Sequence, residues 1–166
     1  MWGKLPQYII DKIRSLQNSA LRLIYFKSRL ENAVPLYHDA KILPFHDQLV
    51  KTQCIFAFSQ QVRAVPSMFS DFCKKVSVTH DILTLANRQH ELSLPQVNLV
   101  TQGINSVKCH VAKSWNLIIP LLLQKEKDLE KESKRGDKIG YKAKELHEFS
   151  ISSFSKKVSD ILLSLL

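Results

Sequence analysis

The sequence predicts a mainly α fold: a helical domain with an irregular loop region near residues 77–110 that has room for one or two short strands. Three observations predict it. Glycine is scarce, at four residues in 166, and few glycines means few of the sharp turns a many-stranded sheet needs. Apolar residues recur at steps of three and four in several segments, the period of a helix with one buried face. Hydrophobic residues make up 45% and charged residues 23%, enough to bury the core of one domain of this length.

Residues 8–30 read as the first helix. Ile9, Ile13, Leu16, Ala20 and Leu23 or Ile24 form one apolar stripe, and at about 100° per residue Arg14, Arg22 and Arg29 fall on the opposite face. Residues 34–46 read as irregular, with Pro35 and Pro44 bracketing a short turn of helix at most. Asp47 is the expected N-cap of a second helix running to about Ala64 and closed by Pro66. Met68, Phe69 and Phe72 follow as an apolar patch. Residues 106–119 could start as strand or helix; Val107, Val111 and Trp115 lie four apart, which favours a helix ending before Pro120. Residues 125–148 mix eight basic with seven acidic side chains, the composition of a solvated helix or a flexible insert. Ile151, Phe154, Val158, Ile161, Leu162 and Leu165 give the last helix a clear stripe, capped by Ser150 or Ser152. The chain thus divides into a helical domain at 1–124, a charged insert or linker at 125–148, and a C-terminal helix at 149–166 that packs back on the domain.

The net charge is +9, which favours polyanionic partners. Residues 1–30 hold six basic side chains, Lys4, Lys12, Arg14, Arg22, Lys27 and Arg29, against Asp11 alone. Lys12, Arg14, Arg22, Lys27 and Arg29 are the first candidate contacts for an RNA or DNA backbone, because basic side chains neutralise phosphates and release counterions. Lys74 with Lys75 forms a second candidate site, and Lys108 with Lys113 a third. The bland alternative for each is a solvated face, and Asp11 stands where it could pair with Arg14 at i, i+3.

Other chemistry finds little footing. Polymerase-type phosphoryl transfer needs clustered carboxylates to hold two metal ions, and no two aspartates are adjacent. The glycines are too scattered for a phosphate-cradling loop. Cys54, Cys73 and Cys109 form no Cys-x-x-Cys pair and no zinc-type spacing. No metal or cofactor is expected, and no activity of the chain on its own. An odd, widely spaced cysteine set suits a reducing intracellular compartment. The start of the chain lacks the apolar run of a signal peptide, and no stretch reaches a membrane-spanning length of about 18 apolar residues, so no membrane partner is expected.

Thr101, Gly103 and Ser106, followed by Trp115-Asn116 and Pro120, resemble the segment after the thumb in reverse transcriptases of non-LTR retrotransposons of the jockey-like type. His80 and Thr84 keep the frame of the motif before it, with Ile82 and Leu85 in place of the family's Tyr and Arg. Trp2-Gly3, then Ile10 to Ile13 with Leu16-Gln17 and Ala20-Leu21-Arg22, then Pro35-Leu36-Tyr37 with Ile42-Leu43 and Leu49, resemble the preceding patterns in order. Pro66, Phe69 and Phe72 fit the next, and Ser150 to Phe154 with Lys156 and Lys157 the closing helix. The 125–148 stretch is the largest departure. The resemblance implies that residues 1–124 are a helical post-polymerase domain, part of a C-terminal accessory fragment of an RNA-directed DNA polymerase that lacks the catalytic palm. It implies partners too: a template or target strand, bound without sequence preference, and the polymerase domain of the parent protein. It also implies a nuclear step. The alternative is a degenerate structural or protein-interaction module with no nucleic-acid binding of its own.

Overall fold

The computed structural model describes residues 6–69, 72–75, 90–94, 107–135 and 146–166. These residues are mainly helical, as the spacing predicts. Five α-helices follow in order: α1 at Gln7–Ile24, α2 at Val34–Ala40, α3 at Phe45–Gln61, α4 at Val107–Arg135 and α5 at Ile151–Ser164. Short 3-10 turns occupy Ser67–Phe69 and Leu146–Glu148. Within the irregular region, Lys75 and Leu92 form one isolated antiparallel bridge. Thr101, Gly103, Ser106, His80, Thr84 and Trp2-Gly3 lie outside the described residues.

The core forms where α3, α4 and α5 meet. Cys54, Ala57 and Phe58 come from α3, Val111, Trp115, Ile118 and Leu122 from α4, and Phe154, Val158 and Ile161 from α5. Phe58 and Phe154 stack with ring centroids 4.2 Å apart, and Trp115 lies 6.0 Å from Phe154. Such aromatic pairs add about 0.5–1.5 kcal/mol beyond the area they bury. Phe56, Phe69 and Phe72 make a satellite triangle of edge-on rings, while Met68, expected in that patch, points to solvent.

The expectation that α4 ends before Pro120 is overturned. The helix runs through the proline to Arg135. An interior proline costs about 3 kcal/mol, but Ile118, Ile119 and Leu122 on either side of it are buried. Each such side chain contributes about 1.5–3 kcal/mol, so burial wins, and Pro120 itself faces solvent. The same helix carries on past residue 125, where Glu126 is only 2% exposed and forms an ion pair with Lys157 of α5.

Three expected boundaries move for a common reason. The first helix ends at Ile24, not near 30; α2 is a true helix where irregular chain is expected; and α3 stops at Gln61, short of Ala64. Each is closed by a non-glycine residue in the left-handed region: Phe26 at φ 52°, Lys41 at φ 53° and Arg63 at φ 56°. The backbone then turns back on itself, with Lys27 N–H donating to Arg22 O at 2.8 Å, Ile42 N–H to Tyr37 O at 3.1 Å and Ala64 N–H to Ser59 O at 2.8 Å. Glycine is the usual residue at such a corner, so its absence hides the helix ends from a sequence reading. Pro35 sits in the first turn of α2, where its missing N–H is no loss. Asp47 lies inside the first turn of α3 and not at its N-cap, which is Pro44; its charge there suits the helix dipole. Ser150 caps α5, its side chain accepting from Ser153 N–H at 3.2 Å.

Outside the helices, three carboxamides take the place of a sheet. Gln17 of α1 accepts from Phe45 N–H at 2.8 Å and donates to Leu43 O at 3.4 Å. Gln60 of α3 accepts from Cys73 N–H at 3.2 Å and donates to Cys73 O at 3.3 Å. Asn116 of α4 accepts from Leu92 N–H at 2.8 Å and donates to Leu92 O at 2.9 Å. Beside it, Trp115 Nε1–H donates to His90 O at 2.6 Å. Trp115-Asn116, the pair singled out in the sequence, is thus a clamp on residues 90–92.

Asn116→Ala should cost about 1–3 kcal/mol, since it strands both backbone groups of the buried Leu92; urea unfolding measures it. Arg63→Gly should instead stabilise the chain by about 0.5–1 kcal/mol, because glycine enters the left-handed region without the penalty of a Cβ.

Candidate nucleic-acid interface

The five basic candidates of the first segment are divided by the way α1 sits on the domain. Its buried residues are Ile10 and Leu21, with Gln17 anchored between them. The expected inward stripe is therefore wrong: Leu16 and Leu23 are 70% and 77% exposed. The helix turns so that Gln17 and Asn18 can bond inward, Asn18 Oδ1 accepting from Tyr37 O–H at 2.8 Å. Arg14 and Arg22 come with that face. Burial pushes the Tyr37 hydroxyl above its ordinary pKa of 10.0, the nearby Arg14 and Arg22 oppose the rise, and Asp47 adds to it. These two arginines thus share one neighbourhood at the edge of α2.

Lys27 and Arg29 do not continue the helix. They sit on the turn that follows it, which Arg22 draws back along α1 by donating from Nε to Glu31 O at 2.9 Å. Lys27 pairs with the Glu31 carboxylate at 3.4 Å, so its positive field is partly cancelled. Arg29 is exposed. Lys12 lies apart from the arginines, its ammonium 5.7 Å from the Tyr8 ring. Asp11 takes a hydrogen bond from Gln7 at 3.1 Å and forms no ion pair with Arg14 among the described residues.

The second and third candidate sites meet. Lys74 and Lys75 follow Cys73, which Gln60 clamps, and Lys74 O accepts from Ser93 N–H at 2.7 Å. The Lys108 charge is felt at the same cysteine: burial pushes the Cys73 thiol up to about 11, and Lys108 lowers it. Lys74, Lys75 and Lys108 therefore gather at one corner. Lys113 stands exposed on α4.

The fold also assembles a basic cleft that no spacing in the sequence announces. Lys41 and Lys51 line it with Gln17, Gln48 and Ser159, around a volume of about 330 Å³. It exists because Gln17 holds residues 43–45 against α1, bringing the end of α2 beside α3 and α5. Among the described residues no carboxylate lies within ion-pair distance of Lys12, Arg14, Arg22, Arg29, Lys41, Lys51, Lys74, Lys108 or Lys113.

Burial pushes the Cys54 thiol up to about 12. Cys54 and Cys73 are therefore protonated at neutral pH, and a thiol is a poor nucleophile and metal ligand. Among the described residues no three of His, Cys, Asp and Glu cluster as a metal site would require. No described helix is long and apolar enough to cross a membrane.

Compared with models of known protein families, with curated proteins and with solved structures, the chain matches none.

The cysteines give a pH prediction. A raised folded-state pKa means the folded chain keeps its thiol proton after the unfolded chain has lost it. The stability this contributes is complete below about pH 9 and falls as pH rises through about 12 for Cys54. The melting temperature should therefore drop between pH 8.5 and 11 more steeply for the native sequence than for Cys54→Ala, roughly as linkage requires. Equal slopes in thermal melts of the two would assign the alkaline loss to other groups.

Proposed function

We propose that this chain is a nucleic-acid-binding helical accessory domain, the C-terminal, post-polymerase part of a reverse transcriptase of the non-LTR retrotransposon type. The observation that carries the binding role is the uncompensated charge around α1 and α2. Arg14, Arg22, Arg29, Lys41 and Lys51 face no carboxylate at ion-pair distance among the described residues, in a chain whose net charge is +9. The ancestry rests on the ordered sequence resemblance.

The physical mechanism is phosphate neutralisation. Exposed guanidinium and ammonium groups displace condensed counterions from a polyphosphate strand, and the entropy of their release drives binding. Side chains held by so few directional bonds position a backbone and do not read base edges. The domain would hold template RNA or target DNA beside a polymerase supplied elsewhere, within the nucleus, and would form no bonds in the strand itself. A purely structural or interaction role is the second reading, favoured by the apolar residues that α1 leaves exposed.

Fluorescence anisotropy with a labelled oligonucleotide of about 20 nucleotides tests the proposal across about 50–300 mM salt. RNA or DNA affinity should fall steeply with salt and be indifferent to sequence. The triple variant Arg14→Glu, Arg22→Glu, Arg29→Glu should bind at least about tenfold more weakly, with a shallower salt slope. Undiminished affinity in a variant whose circular dichroism is unchanged would remove this surface from the function.

A further inference from the structure

The apolar stripe of α1 lies on the outside of the domain. Ile9, Ile13, Leu16, Ala20 and Leu23 succeed one another at steps of four, three, four and three, the heptad spacing of a coiled-coil seam. Its outer part, Leu16, Ala20 and Leu23, is not used within the domain, because Ile10 and Leu21 are the residues α1 buries. Ile9 and Ile13 are half-buried at the edge of the packed face, and Leu16 and Leu23 stand out in water. The patch continues beyond the helix through Phe26 and Leu30, each 95% exposed. Scattered apolar side chains on a surface need no explanation, but a continuous row at heptad spacing marks an interaction site.

We propose that α1 docks an amphipathic helix of another protein whose apolar seam is flanked by acidic residues. The heptad spacing selects a helix as the partner, since knobs at these steps fit the holes of a facing helix. Charge selects the flank. Lys12 borders the seam on its solvent side, with Lys27 and Arg29 past its end, while Asp11 lies on the far side of the helix by the 100° step. Lys27 keeps part of its field despite Glu31, both being about half exposed. A second copy of this chain is a poor occupant. Its residues 1–30 would bring the same six basic side chains against one acidic, and like-charged flanks repel across a helix pair.

Arg29 serves both surfaces, but Leu16 and Leu23 belong to the seam alone and Arg14 and Arg22 to the other side of α1, so variants at these four positions test the two proposals separately. The test uses the full chain and two designed peptides of three heptads with leucine at a and d, one flanked by glutamate and the other by lysine. Anisotropy should show the glutamate peptide binding at least about tenfold more tightly than the lysine peptide. The double variant Leu16→Ser, Leu23→Ser should lose that binding yet keep its helical circular dichroism and its affinity for an oligonucleotide. Equal affinity for both peptides, binding retained in the double variant, or no binding to either overturns the proposal. So does a dimer of the chain alone in sedimentation that the double variant abolishes, which would make a second copy the occupant. Co-sedimentation with phosphatidylserine vesicles, lost in the double variant, would overturn it in favour of a lipid surface.

Discussion

The irregular parts of this protein are held by borrowed amides. A backbone that leaves a helix must still find partners for its N–H and C=O groups when it is buried, and no extended sheet does this among the described residues. Gln17, Gln60 and Asn116 do it, each offering one donor and one acceptor from a side chain fixed on a helix. The geometry copies one rung of a β-ladder. Remove these contacts and the helices still have a core, but residues 43–45, 73 and 90–92 lose their positions, and the basic groups beside them lose theirs.

The candidate interface follows from that constraint. Because Gln17 must face inward to hold Leu43 and Phe45, α1 cannot also bury Leu16 and Leu23. One polar residue thus decides which flank of the helix presents arginines and which presents leucines. Tyr37 reports the outcome, buried enough to hold its proton more tightly while two guanidinium groups pull the other way. The helix is then two-sided in character, with a charged edge toward α2 and an apolar row on its outer flank.

How much of this was legible in the sequence varies with what each rule assumes. The last helix is readable because Phe154, Val158, Ile161 and Leu162 have nowhere to go but the core; of the two candidate caps it is Ser150 that serves, and Ile151 and Leu165 of the expected stripe stand exposed. The phase of α4 is equally plain up to Trp115. Its length is not, since a penalty for Pro120 is local whereas the burial that outweighs it is set by α3 and α5. For α1 the periodicity is real but the inference from it fails, because periodicity finds an apolar face without saying whether the domain or a partner covers it. Helix ends at Phe26, Lys41 and Arg63 leave no compositional trace. For the cationic candidates of the first segment the grouping is not readable: Lys12 and Arg14 are near neighbours in sequence and lie on different flanks. The Lys41–Lys51 cleft has no sequence signature at all, being the product of three helices meeting.

Pro120 has a mechanical side. A helix missing one rung is less stiff there than along the rest of its length, and the carbonyl deprived of its usual donor four residues back belongs to Asn116. That residue's side chain is also what grips Leu92, and Leu92 is bridged to Lys75. The rung that Pro120 leaves open thus belongs to the same residue whose side chain holds the strip of backbone leading to Lys74 and Lys75, so the main chain and the side chain of Asn116 serve two different parts of the molecule.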